Sequence, residues 1–256
     1  MKLLALDTST DQLSIAVQCG ERVWCHRGAG GAQASSTLIP GAMALLAQAH
    51  VPLTDLDAVV VGRGPGSFTG LRTACAVAQG LAYGAQRPVL GLDTLLSLAP
   101  QVLAHDPDAT RVLAVLDARM QQVYAAAYER QGDTWRTVMP AGLYDPVDLR
   151  LPTAWADDRT VWIAGNASAL LGDTPGLLRG PDGTARRTWQ GGPDAQALLA
   201  LAPAALARGE SVTAADLMPL YLRDKVALTT AEREALKAQP VHAQPATPTL
   251  APGMTS

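Results

Sequence analysis

Aromatic side chains are scarce in this sequence: one Phe, five Trp and five Tyr among 256 residues. A core made from such material is packed by Ala, Leu and Val, whose small side chains let helices approach closely. Charge is scarce too, at 17% of residues, and slightly acidic, with a net charge of -3. A protein that neutralises many phosphates alone needs a Lys/Arg excess on one face, so that balance argues against direct nucleic-acid binding. The three cysteines, Cys19, Cys25 and Cys75, have no CxxC spacing and read as reduced thiols rather than a disulfide or zinc site. His26, His50, His105 and His242 are scattered without an HxxxH or HExxH pair, which argues against catalytic zinc or iron. Ser67 has neither a GxSxG context nor a nearby His, so a hydrolytic triad has no support. No apolar run is long enough to span a bilayer, and the one opening MKLLALDTST is too short for a signal peptide. The expected location is cytoplasmic.

What is present is a 48% hydrophobic share, enough for sizeable cores in a globular chain. Apolar runs at 2–6 and 13–19 read as strands, followed by a turn at Gly20-Glu21 and a third strand at 22–26. A helix is expected over 36–49, with Pro40 within about its first turn, where a missing N–H costs least. A buried strand at 57–61 leads through a glycine-rich loop into a helix over 69–84. Another strand at 88–92 is followed by Thr94, placed to cap the next helix. At residue 111 the opening pattern recurs, with a strand at 112–116 ending in Asp117, a turn, and a second strand at 122–129. A further strand at 161–164 and a helix at 195–207 complete the predictable elements. The division implied is an N-terminal lobe over 1–108, a second lobe over 109–225, and a Pro/Ala-rich tail over 226–256. That tail is expected to be disordered, or at most a short helix near 230–238.

Two motifs could carry chemistry. Asp7-Thr8-Ser9-Thr10 closes the first strand; in a phosphotransferase an Asp there can hold a metal–water shell while hydroxyls and turn amides meet phosphate. Ordinary turn chemistry explains the same residues equally well. Gly62-Arg63-Gly64-Pro65-Gly66-Ser67-Phe68-Thr69-Gly70 opens a helix, where free amides can bind an anion and glycines let a ligand approach. It is neither a P-loop nor a Rossmann fingerprint, and a tight strand-to-helix connection also accounts for it. The helix that follows has a near-apolar face of Leu71, Ala74, Val77, Ala78 and Leu81. That face is core by the usual reading, yet its small residues also suit docking of a second helix pair.

LALDTST at 4–10, GRGPGSFTGLR at 62–72, AQGLAYG at 78–84, LDARMQQVYAAAY at 116–128 and PLYLRD at 219–224 together resemble the bacterial TsaB (YeaZ) family. The resemblance covers roughly residues 1–225. It implies an α/β, two-lobed actin/Hsp70/sugar-kinase-like (ASKHA) fold with mixed sheets flanked by helices. It also implies a non-catalytic subunit without cofactor or metal, in the complex that makes threonylcarbamoyladenosine in tRNA. In that complex a TsaD-type paralogue transfers the threonylcarbamoyl group from its adenylate, and a TsaE-type ATPase is recruited. The tRNA is met only through the complex. The helices of the N-terminal lobe dock the paralogue, and the same face supports a homodimer when the subunit is alone. Carried onto this chain, the partner interface is Leu38, Ala42 and Leu45 on the first helix, with Leu71, Ala74, Val77, Ala78 and Leu81 on the second. The family loop is Gly62, Arg63, Gly64, Pro65, Gly66, Ser67 and Thr69, and Asp7, Thr8, Ser9, Thr10 and Asp117 become vestigial phosphate-loop positions. The catalytic paralogue carries a metal-binding HxxxH pair on its first long helix, whereas the corresponding stretch here, 32–40, has no His. The alternative is a small ASKHA phosphotransferase or ATPase with Asp7 and Asp117 facing across a cleft. Against it, residues 140–192 contain only scattered glycines where a nucleotide lobe needs glycine-rich adenosine loops.

Overall fold

In the computed structural model, which describes residues 1–223 apart from 173, 175 and 181, the opening apolar run forms strand β1 (Lys2–Asp7). Successive strand side chains point to opposite faces, and both faces of β1 are covered. Leu4 and Leu6 belong to one core, Leu3 and Ala5 to another. β1 pairs antiparallel with β2 (Gln12–Cys19), and β2 with β3 (Arg22–Ala29). Helix α1 (Ala34–Ala49) carries the chain over to β4 (Ala58–Gly64), which lies parallel to β1. Helix α2 (Phe68–Ala85) carries it on to β5 (Val89–Asp93), parallel to β4. Parallel neighbours require such crossovers, and the unbroken Ala58-Val59-Val60-Val61 run is what a strand buried on both faces looks like. The first sheet thus has the order β3-β2-β1-β4-β5.

After α3 (Leu98–His105) the plan repeats. β6 (Arg111–Asp117), β7 (Val123–Gln131) and β8 (Thr134–Tyr144) form an antiparallel meander. β9 (Trp162–Gly165) then lies parallel to β6, and β10 (Arg187–Gln190) parallel to β9. The order β8-β7-β6-β9-β10 matches the first sheet strand for strand when β6 is set on β1. The expected architecture, mixed sheets flanked by helices, is the one observed. A short helix, α4 (Ser168–Leu171), follows β9.

Helix α5 (Ala195–Ala207), grouped in sequence with the second lobe, lies against the first sheet. There Ala195, Leu198 and Ala202 share a core with Leu3, Ala5 and Val60. The chain then runs as a strap over 212–222. Val212 exchanges backbone hydrogen bonds with Val89 at 2.8 and 2.9 Å, Leu217 is buried, and the Leu220 N–H donates to the Arg63 carbonyl at 2.7 Å. Residues 1–222 form one unit, and no helix of the described residues is long and apolar enough to cross a membrane. The expectation for the tail over 226–256 lies outside the described residues.

Three local expectations are corrected. Pro40 sits in the second turn of α1, because the helix begins at Ala34; lacking an N–H, it forgoes the bond to the carbonyl of exposed Ser36. Thr94 makes no side-chain cap. Its hydroxyl instead accepts the Gly64 N–H at 3.0 Å, tying the loop after β4 to the end of β5. Strands β8 and β10 were not foreseen; β8 is interrupted by Pro140 and β10 is only four residues long.

Candidate functional site

Asp7 ends β1 with its side chain turned back on its own backbone. Oδ1 accepts the Ser9 N–H at 2.9 Å and the Ser9 hydroxyl at 2.6 Å. Oδ2 is buried and has no hydrogen-bond partner among the described residues. Burial disfavours the charged form and pushes the Asp7 carboxyl up to about 6, although both Ser9 bonds pull the other way.

The glycine-rich loop is what closes over this turn. A Cβ at Gly62 would lie 1.9 Å from Asp7 Oδ2, one at Gly66 2.5 Å from the Ser9 carbonyl oxygen, and one at Gly70 1.8 Å from the Thr8 carbonyl oxygen. The Thr8 hydroxyl donates to the Gly70 carbonyl at 2.7 Å, and the Ser67 N–H donates to the Ser9 carbonyl at 2.6 Å. Gly64, at φ +125°, gives the same clearance to the strap, since a Cβ there would be 2.5 Å from the Leu220 carbonyl oxygen. These glycines therefore serve close approach of the chain to itself. Asp7, Thr8 and Ser9 are buried and Thr10 is partly so.

Asp117 occupies the equivalent place at the end of β6. Its Oδ1 accepts the Arg119 N–H at 2.7 Å, as Asp7 does for Ser9, and its own N–H donates to Asn166 Oδ1 at 2.9 Å. Unlike Asp7 it is about one-third exposed, at 32%. Among the described residues no group of three His, Cys, Asp or Glu side chains could hold a metal ion.

The interface residues expected on the two N-terminal helices lie mostly inside the chain. Leu38, Ala42 and Leu45 on α1, and Leu71, Ala74 and Ala78 on α2, are buried within the chain itself. Val77 and Leu81 are partly buried against the core formed there with β1, β2 and β4. The most apolar stripe of an amphipathic helix goes to its own core first, and six of these eight side chains are buried there. The outward surface is different. Ile39 and Met43 on α1 are each 45% exposed, and Tyr83 on α2 is 82% exposed. An open apolar hollow of about 370 Å³ lies beside Met43, lined also by Leu46, His50, Val51 and Leu53. The outward side of α2 is nearly bare, with exposed Ala76, Gly80 and Gly84. A Cβ at Gly80 or Gly84 would meet nothing within 4 Å. Glycine inside a helix costs about 1 kcal/mol relative to Ala, and nothing among the described residues requires it at either place.

At the N-terminal end of α2, Arg72 lies over Phe68, its guanidinium carbon 3.8 Å from the ring centroid and 6.0 Å from that of Tyr221. The two rings are 4.9 Å apart, and Arg72 Nε donates to the Tyr221 hydroxyl at 3.1 Å. Sequence reasoning quoted Arg72 and Tyr221 in separate motifs without joining them. They are 149 residues apart, and no local pattern could have paired them. Ile39 and Met43 were within reach, since their spacing of four marks a second apolar line on α1.

A family model described as TsaD, tRNA N6-adenosine threonylcarbamoyltransferase, matches residues 31–159. The chain is 34% identical over 233 residues to the tRNA threonylcarbamoyladenosine biosynthesis protein TsaB of Escherichia coli (strain K12), an alignment covering 89% of this chain and 96% of that one. To the protein of the same description from Haemophilus influenzae it is 31% identical over 235 residues, covering 88% and 95%. Among solved structures, YeaZ from Pseudomonas aeruginosa superposes with a TM-score of 0.76 at 36% identity, covering 86% of this chain and 99% of that one.

Proposed function

The chain belongs to the TsaB (YeaZ) family of tRNA threonylcarbamoyladenosine biosynthesis proteins, and on that premise we propose that it is the non-catalytic partner subunit of the modifying enzyme. In this role it holds and activates a TsaD-type catalytic paralogue, recruits a TsaE-type ATPase, and meets tRNA only through the assembled complex in the cytoplasm. Alone, it pairs with a second copy through the same face.

The observation that carries this reading is the outward surface of α1 and α2. Ile39 and Met43 on α1 and Tyr83 on α2 are exposed apolar side chains, and α2 leaves Ala76, Gly80 and Gly84 bare, two of which bear the cost of helical glycine without an internal need. A bare helix face together with exposed large apolar side chains on the same pair of helices suits close packing of a helix from another subunit. The phosphotransferase alternative draws little from the geometry, because Asp7 Oδ2 is packed against Gly62.

The test is co-expression with the TsaD-type protein of the same organism, followed by size-exclusion chromatography and calorimetry. A stable heterodimer is expected, with no threonylcarbamoyl transfer by this chain alone. Gly80→Leu should weaken the heterodimer by at least about tenfold through steric blockade. Undiminished affinity would mean that the partner docks elsewhere, and robust transfer by the isolated chain would end the non-catalytic assignment.

A further inference from the structure

We propose that the Phe68–Arg72–Tyr221 stack is a preformed clamp for one carboxylate, an Asp or Glu side chain of the catalytic partner, at the end of the α1/α2 docking face. The inference rests on the docking reading above and adds to it the chemistry of one recognition point.

Arg72 is exposed, yet its side chain is already ordered. Its guanidinium carbon lies over Phe68, 3.8 Å from the ring centroid, and its Nε–H is taken by the Tyr221 hydroxyl at 3.1 Å. A guanidinium has five N–H donors in a rigid fork. With Nε engaged, the Nη donors remain, and none of the ion pairs among the described residues includes Arg72. An arginine stacked on one ring and hydrogen-bonded to the next has lost rotamer freedom before any partner arrives, so that cost is not incurred on binding. Such a fork matches a carboxylate two bonds at a time.

Position favours a protein ligand. Arg72, Ala76 and Gly80 are spaced by four, so they share one face of α2, and Arg72 is therefore continuous with the bare surface. The strap that carries Tyr221 also exposes apolar side chains: Met218 is 65% exposed and Tyr221 39% exposed. An ordered arginine stacked with Phe68 and bonded to Tyr221 has the residue types of a protein–protein hot spot. A surface that tracks an RNA backbone requires several cations for successive phosphates, and the net charge of this chain is -3.

The experiment titrates the TsaD-type protein into the full-length chain by calorimetry, comparing wild type with Arg72→Met, Arg72→Lys and Tyr221→Phe. Met retains an apolar stem over Phe68 without charge, and Lys retains charge without the fork, so the pair separates charge from fork geometry, and the salt dependence separates either from a folding defect. We expect Met and Lys each to weaken binding by about tenfold or more, and Tyr221→Phe to weaken it by a few-fold through loss of the Nε bond. Wild-type affinity should fall as salt rises from about 0.05 to about 0.3 M, and the Met variant should lose most of that dependence. Wild-type binding with Met and Lys variants equal to it overturns the clamp and leaves the docking reading intact. No binding by wild type overturns both. Unchanged protein affinity with loss of tRNA from the assembled complex would transfer the arginine to a phosphate and overturn the carboxylate assignment.

Discussion

Asp7 places a carboxyl where water does not reach it, and pH becomes a lever on the fold. An Asp in an unfolded chain titrates near 3.9, whereas folded Asp7 is pushed up to about 6. Between those values the folded state keeps a proton that the unfolded state has released. The contribution of this group to stability therefore falls as pH rises through that window and levels off above about 6, for a total of about 3 kcal/mol. Asp7→Asn keeps an oxygen for the two Ser9 donors and removes the titration. Denaturant melts at pH 4.5 and 7.5 should show the variant gaining on wild type at the higher pH; a constant difference would count against the assignment. In the sequence, Asp7 and the glycines of 62–70 stood out as two separate motifs. That they are one contact was not legible, because Thr8 and Gly70 meet across 62 residues of chain.

Helix α2 teaches the same lesson at the scale of an element. Periodicity identified its apolar stripe correctly but could not say what covered it, because core and interface both select small and aliphatic side chains. Burial separates the two: Ala78 is 0% exposed, while a Cβ at Gly80 meets nothing. The two positions should respond oppositely in thermal melts of the isolated chain. Gly80→Ala should raise stability by about 0.5–1 kcal/mol through helix propensity. Ala78→Arg should cost several kcal/mol, since it forces an unpaired charge into a packed core. Strand β8 shows where the alternation rule fails. Most of its residues are half-buried, Pro140 interrupts it, and its pairing with β7 shifts register twice, so no clean two-residue period survives to be read.

Across the whole molecule the legible feature was duplication. The strand–Asp–turn–strand opening occurs at Asp7 and again at Asp117, and the two sheets that grow from them share one strand order. What joins them was not legible. The Tyr128 hydroxyl, on β7, donates to Asp93 Oδ2 at the end of β5 at 2.7 Å, a bond between the two sheets. Burial raises the Asp93 carboxyl and holds the Tyr128 phenol well above its ordinary range. Tyr128→Phe would leave the Asp93 oxygen short of a donor and should lower unfolding free energy by about 1–3 kcal/mol, as measured in denaturant. An unchanged midpoint would mean that water replaces the phenol.

The return of α5 to the first sheet has a consequence for the order of synthesis. Strands β1–β5 leave the ribosome with Leu3, Ala5 and Val60 facing a cover that is not yet translated. At about 5–20 residues per second, the nascent first sheet waits on the order of ten seconds with that apolar face bare. During this interval its apolar face is open to association with other chains, and its folding is completed only when Ala195–Ala207 emerges.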